Sequence, residues 1–251
     1  MGKHSILSPS GGDRWVPCPG SVAFIRSLIT SGVLGEEEED DDPMSPSNEG
    51  TRAHLLLSTS LDNGVCAEEA RHIMPEEDLP YITEEMPDHV QGVINWIADY
   101  MEENPGTELW VERKVSAEPY TGTKETAGTL DVGLLNFPRK ELIVLDFKYG
   151  MGVAVHPDDA IQLDIYGLGA LAEFNENDFK ITTRIIAQPR HPRVDTFQIQ
   201  RDTTKKFVKR AGKISTAARI ALSPGAHLNP LNFEPGEKQC RWCRGSPFCE
   251  Y

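Results

Sequence analysis

Gly128-Thr129-Leu130-Asp131-Val132-Gly133-Leu134-Leu135-Asn136, then Phe137-Pro138-Arg139-Lys140, then Glu141-Leu142-Ile143-Val144-Leu145-Asp146-Phe147-Lys148, is the stretch that decides the fold. Two runs rich in Leu, Val and Ile flank a proline-containing break, which predicts a hairpin of strands Thr129–Asn136 and Leu142–Phe147. Symmetry about Pro138 and Arg139 sets Asp131 opposite Asp146. Opposed Cβ atoms lie roughly 4.5–5.5 Å apart, where two carboxylates repel unless a cation sits between them. Lys148, two residues past Asp146, shares its face by the strand period of two. Two carboxylates for Mg²⁺ or Mn²⁺ beside an ammonium suit phosphodiester hydrolysis, because the metal activates water and polarises a phosphoryl oxygen while the lysine stabilises developing charge. An Asp-x-Lys triplet alone also fits an ordinary surface ion-pair group.

Working outward, Ser8-Pro9-Ser10 predicts a turn into a short helix over Asp13–Val16, broken at Pro19-Gly20-Ser21. The acidic run Glu36–Asp42, closed by Pro43, reads as a mobile loop. A helix begins near Asn48 and carries His54, Leu55, Leu56 and Leu57. Residues 64–85 show no clear period. Asp88–Glu102 repeats Val90, Val93, Ile94, Ile97 and Met101 at helical spacing, and Leu109–Val115 reads as a strand. Beyond the hairpin come a helix over Asp158–Phe174, strands Ile181–Ala187 and Thr196–Ile199, and a basic helix capped by Asp202 and running to about Leu222. This order predicts an α/β class with a mixed central sheet flanked by helices. The expected organisation is one domain over 1–251: a mainly helical part over 1–105 with its acidic loop at 36–43, an αβ core over 106–222, and a cysteine-bearing segment over 223–251.

The chain has 251 residues, 39% of them hydrophobic, which can supply a sizeable core. No apolar run reaches a membrane span, and Met1–Gly20 has no signal-like segment, so the expectation is a cytoplasmic protein with no membrane partner. The net charge of −14 argues against a uniformly basic nucleic-acid surface. Yet Glu36–Glu103 holds 20 acids against Arg52 and Arg71, while Arg184–Arg219 holds ten Lys and Arg against Asp195 and Asp202. Lys205, Lys206, Lys209, Arg210 and Lys213 recur at helical spacing and are candidates to line a nucleic-acid path.

Five cysteines occur. Cys240, Cys243 and Cys249 form C-x₂-C-x₅-C, and Cys18 lies far upstream. In a reducing compartment three clustered thiols and one distant one favour a metal over disulfides, and spacing leaves a [4Fe–4S] cluster and a structural Zn²⁺ both open. The segment Trp15-Val16-Pro17 and Trp242 are candidates to shield the group. Cys66 fits no ligand position and reads as a small apolar residue.

His54, Gly128-x-x-Asp131, Asp146-x-Lys148 and Gln162-x-x-x-Tyr166, in that order, resemble the RecB-like PD-(D/E)XK nucleases. By that resemblance His54, Asp131, Asp146 and the Phe147 carbonyl would hold Mg²⁺ or Mn²⁺, and Lys148 would be the catalytic lysine. Gln162 and Tyr166, one helical turn apart, would support the site. The resemblance implies a DNA exonuclease for end processing or recombination, with DNA bearing a free end as substrate and recombination or replication proteins as partners. Cys18, Cys240, Cys243 and Cys249 resemble the cysteine pattern of the AddB-type and CRISPR-adaptation nucleases, which implies a [4Fe–4S] cluster joining the two chain ends. Leu7-Ser8-Pro9-Ser10, Cys18-Pro19-Gly20-Ser21 and Asp146-Phe147-Lys148-Tyr149-Gly150 also resemble an uncharacterised family frequent in phage genomes, which would place the protein in the host cytoplasm. Two other readings are an inactive nuclease fold serving in DNA binding or assembly, and a zinc-stapled protein of unrelated chemistry. Glu49 and Glu112 are weaker candidates for the site, since strand alternation leaves the facing of Glu112 undecided.

Overall fold

A computed structural model describes residues 5–35, 42, 45–175 and 177–251. The acidic loop read over 36–43 lies outside the described residues except for Asp42. The helices are α1 (Gly12–Trp15), α2 (Gly20–Thr30), α3 (Pro46–Asn63), α4 (Ala67–Arg71), α5 (Met86–Glu103), α6 (Glu118–Thr121), α7 (Ile161–Leu171), α8 (Thr204–Phe207), α9 (Ala211–Ala221) and α10 (Glu237–Arg241). The strands β1 (Thr107–Ser116), β2 (Ala127–Asn136), β3 (Glu141–Phe147), β4 (Ile181–Ala187) and β5 (Phe197–Thr203) form one sheet in sequential order. β3 and β4 run parallel and every other neighbouring pair antiparallel, so the sheet is mixed. The fold is therefore α/β, with helices on both faces.

All of β3 is buried because both of its faces are covered. Val132, Leu134, Ile143, Leu145 and Phe147 pack against Ala53, Leu56, Val90, Val93 and Ile97 of α3 and α5. Leu130, Leu135, Leu142 and Val144 pack on the other side against Leu163, Leu168, Ile214 and Ala218 of α7 and α9. The α3 helix starts where the Ser45 hydroxyl accepts the Asn48 N–H and stops at Gly64, whose φ of 64° suits glycine. That start places His54 about two turns in, over the sheet.

Alternation breaks at one point. Leu130 and Val132 share parity but face opposite layers, and in β1 Trp110 and Val115 have opposite parity but face the same layer. The β1–β2 ladder pairs Val111 with Val132 and Arg113 with Leu130, and it skips the pair between them, Glu112 and Asp131. Glu112 has φ of 45°, a left-handed conformation that a side chain with a Cβ adopts at a cost of order 1–3 kcal/mol.

Several expected boundaries move. The helix read over Asp158–Phe174 spans only Ile161–Leu171, because the Asp13 carboxylate accepts the Ile161 N–H at 2.9 Å and fixes the start there. The strand read over Thr196–Ile199 continues to Thr203, and Asp202 lies inside it rather than capping a helix. Thr203 provides the cap, accepting the Lys206 N–H, and the basic helix is divided into α8, a 3₁₀ turn over Val208–Arg210 and α9. Asp202 is drawn into a buried ion network instead. Arg184, fully buried, donates to Asp164 at 2.9 Å and to Asp202 at 3.1 Å, since a buried guanidinium needs anionic partners. Among the described residues no helix is long and apolar enough to cross a membrane.

Candidate metal centre and cysteine site

The break in β1 and β2 builds the first half of the site. His54, Glu112 and Asp131 each bring one ligand atom within 4.8 Å of the others. His54 Nδ1 stands 3.5 Å from an Asp131 oxygen and 3.9 Å from a Glu112 oxygen. The His54 ring leans on the Phe147 ring, with centroids 5.3 Å apart. The other Asp131 oxygen accepts the Phe147 N–H at 2.8 Å, so the carboxylate is tied to the neighbouring strand where the β2–β3 ladder ends at Val132 and Leu145. Burial pushes the Asp131 carboxyl up to about 7, with Asp146 adding to the rise and His54 opposing it. Burial also raises Glu112, against the pull of His54.

The second half surrounds Lys148. Its Nζ lies 3.1 Å from one Asp146 oxygen and 2.9 Å from the other, and it donates to Gln162 Oε1 at 2.9 Å. Gln162 Nε2 in turn donates to the Tyr166 hydroxyl at 3.2 Å. Burial works against the Lys148 charge, but Asp146 and Asp131 outweigh it and hold the ammonium above its ordinary value. Burial raises the Tyr166 phenol, keeping it neutral. Asp146 is almost fully buried, and its Oδ2 has no aligned hydrogen-bond donor despite the nearby ammonium. Asp146 falls outside the His54, Glu112 and Asp131 group. The two aspartates expected to share one cation thus have different nearest partners, joined through the backbone of Phe147.

The glycine of the Gly-x-x-Asp motif has a steric reason. A Cβ on Gly128 would stand 2.7 Å from Pro9 Cγ and 3.1 Å from Tyr166 Cε1, so the N-terminal turn and the α7 tyrosine close on bare backbone. Asp13 is a residue that sequence reading missed. It anchors the first turn of α7, which carries Gln162, and its carboxyl is raised by burial while Lys148 and Lys238 oppose the rise. Glu49 lies apart from the group, paired with Arg190 at 2.8 Å. Arg190 in turn sits over the Tyr149 ring.

The basic residues divide. Lys205, Lys206, Lys209 and Lys213 are exposed, but Lys206 is bound to Asp202, and Arg210 is half-buried between Asp164, Asp158 and Asp202. Arg210 is therefore part of the ion network of Arg184 rather than a free surface cation.

Cys18, Cys240, Cys243 and Cys249 line one small cavity of about 40 Å³, walled by Phe24, Phe233 and Tyr251. Burial pushes the Cys18 thiol up, and the proximity of Cys243 and Cys249 adds to the rise. Among the described residues no three of these sulfurs lie within 4.8 Å of one another. Two expectations fail here. Trp242 does not shield the cavity but is 80% exposed, and Trp15 is buried in the main core with Nε1 donating to the Ser8 carbonyl. Cys66 is exposed at the N-terminus of α4, where its N–H donates to Glu69, and it does not line this cavity.

A solved structure described as "Crystal structure of SSO0001" aligns over 91% of this chain and 95% of its own at 10% identity, with a TM-score of 0.30. A family model described as "Protein of unknown function (DUF2800)" matches residues 4–251, and the chain belongs to that family.

Proposed function

We propose that the chain is a metal-dependent DNA nuclease with a RecB-like PD-(D/E)XK core, organised as the single domain expected over 1–251. The observation that carries this reading is the junction of His54, Glu112 and Asp131, gathered within 4.8 Å, with Asp146 and Lys148 across Phe147. An imidazole and hard carboxylate oxygens suit Mn²⁺ or Mg²⁺. The buried Asp146 Oδ2 without an aligned donor and the raised Asp131 carboxyl are both what a cation would satisfy. His54, Glu112, Asp131 and Asp146 would hold the ion, which supplies Lewis-acid polarisation of a phosphoryl oxygen and activation of water.

The chain's own groups supply the rest. Asp146 and Gln162 fix Lys148 as a cation, placed to stabilise charge developing on the scissile phosphate. Tyr166, kept protonated by burial, holds Gln162 in position. The four cysteines would hold a structural cluster. The cysteine pattern supports a [4Fe–4S] group, with a structural Zn²⁺ as the alternative that four thiolates could also hold. The test is incubation of end-labelled DNA with Mn²⁺ and then with excess chelator. Metal-dependent shortening or nicking supports the reading, and intact DNA under all metal conditions refutes it.

A further inference from the structure

Both cysteine-bearing segments grip the same turn of the chain. Cys18 follows α1 closely, and its N–H donates to the Arg14 carbonyl at 3.0 Å, so Asp13 and the first thiol belong to one hydrogen-bonded run of backbone. Asp13, on that run, accepts the Ile161 N–H at 2.9 Å. The α1 backbone also lies bare against α7, since a Cβ on Gly12 would stand 2.9 Å from Ile161 Cγ2 and 3.4 Å from Ile165 Cδ1. In the C-terminal segment α10 carries Cys240, and Lys238 on the same helix donates at 2.8 Å to Asp159, two residues before Ile161. Asp13, Asp159, Ile161 and Lys238 line one cavity of about 290 Å³. The turn held in this way opens the helix whose second residue is Gln162, which accepts from the Lys148 ammonium at 2.9 Å. The first N–H of a helix has no partner within the helix, so its tether comes from outside, here from Asp13.

We propose that these two grips carry the state of the cysteine site to the metal centre. With the four thiols drawn onto one bound group, Asp13 and Lys238 hold the first turn of α7, and Gln162 seats Lys148. With the group lost, the segments that carry the ligands loosen, because binding energy at such a site is also their folding energy. Asp13 is then a positioning residue, acting on Lys148 through Gln162 without touching substrate. The two grips are unequal. Asp13 is partly buried and its bond is charge-assisted, whereas Lys238 and Asp159 are 62% and 61% exposed, where an ion pair contributes little. Asp13 therefore carries most of the effect. The consequence for cleavage rests on the nuclease reading, and the grip on α7 does not.

The test is amide hydrogen exchange at Ile161 in the full chain, prepared anaerobically with its metal content measured and read by mass spectrometry with fragmentation to the single residue. Asp13→Ala should speed that exchange roughly ten- to a hundredfold, the worth of one hydrogen bond to a charged group, while the cysteine site keeps its metal. Asp13→Asn, which keeps an acceptor oxygen, should restore most of the protection. Cys240→Ala, checked for folding by circular dichroism, should speed the same exchange, and Cys66→Ala should not. In Mn²⁺ Asp13→Ala should lower kcat about tenfold with KM near wild type. Placed on Gln162→Ala it should lower kcat no further, because both changes act through one contact. Unchanged exchange at Ile161 in Asp13→Ala or in a folded Cys240→Ala would overturn the coupling, as would Asp13→Asn exchanging as fast as Asp13→Ala. A full additional loss on Gln162→Ala would reduce Asp13 to a general support of the fold and overturn its positioning role. Wild type that cleaves no DNA would refute the nuclease reading, and the exchange at Ile161 would still decide the grip.

Discussion

Gly128→Ala tests whether the N-terminal turn and α7 close on the metal-bearing strand as described. The added Cβ would stand 2.7 Å and 3.0 Å from two atoms of the Pro9 ring and 3.1 Å from Tyr166 Cε1, all shorter than ordinary carbon contacts. A proline ring cannot rotate away, so either the turn or the tyrosine must move. Overpacking of this kind costs about 1–3 kcal/mol, offset by about 0.4–1 kcal/mol from the smaller entropy of the unfolded alanine chain. A net loss of about 1–2 kcal/mol converts, at roughly 2–4 °C per kcal/mol for a chain of this size, to a fall in Tm of about 2–8 °C. Movement of Tyr166 also loosens its bond to Gln162 and hence the seat of Lys148, so cleavage should fall by about tenfold. Gly92→Ala is the matched control, since a Cβ there meets nothing within 4 Å on α5, and it should stabilise slightly. Calorimetry with a Mn²⁺ cleavage assay reads both effects. Gly128→Ala with the Tm and activity of Gly92→Ala would refute the packing argument.

Asp202→Asn should lower stability by about 3 kcal/mol, because it leaves the fully buried Arg184 short of an anionic partner. Burial works against the Asp202 carboxylate, but Lys206 and Arg184 outweigh it and hold its pKa below 3.8, so its contribution is present above that value and lost as pH falls through the folded one. Urea midpoints from pH 6 to pH 2 should therefore show a shallower acid loss in the variant, and identical slopes would defeat the assignment. Glu112→Gln should weaken Mn²⁺ binding about tenfold by calorimetric titration while keeping the fold, and unchanged affinity would remove Glu112 from the ligand set. Iron and sulfide content should vanish in Cys18→Ala, Cys240→Ala, Cys243→Ala and Cys249→Ala and persist in Cys66→Ala. An iron-replete Cys18→Ala protein, or stoichiometric zinc in anaerobic wild type, would discard the cluster.

The hairpin was legible because its symmetry about Pro138 and Arg139 leads to the register found, with Val132 opposite Leu145. Strand, helix and layer order followed from the change of hydrophobic period, and β3 stood out because a strand buried on both faces is apolar throughout. The break at Glu112 and Asp131 was not legible. It is a backbone event, φ of 45° at a glutamate, and no residue type announces it. Without it, alternation could not show that Glu112 turns toward His54. The start of α7 was hidden for another reason, since its capping carboxylate, Asp13, comes from 148 residues away. Spacing likewise suggested a free basic helix, whereas Lys206 and Arg210 meet acids that arrive from β5 and α7. The gathering of four cysteines followed from their pattern, but the outward facing of Trp242 depends on tertiary packing alone.

Lys148 gives the most direct test of the central claim, because its side chain is partly exposed and contributes charge rather than core packing. Wild type and Lys148→Ala, each folded by circular dichroism, are incubated with 5′- and 3′-labelled single- and double-stranded DNA in Mn²⁺. Wild type should cleave and Lys148→Ala should be slower by on the order of a hundredfold or more, the loss expected when a preorganised group that stabilises transition-state charge is removed. Equal rates in the two proteins, or no cleavage by wild type on any of the four substrates, would contradict it.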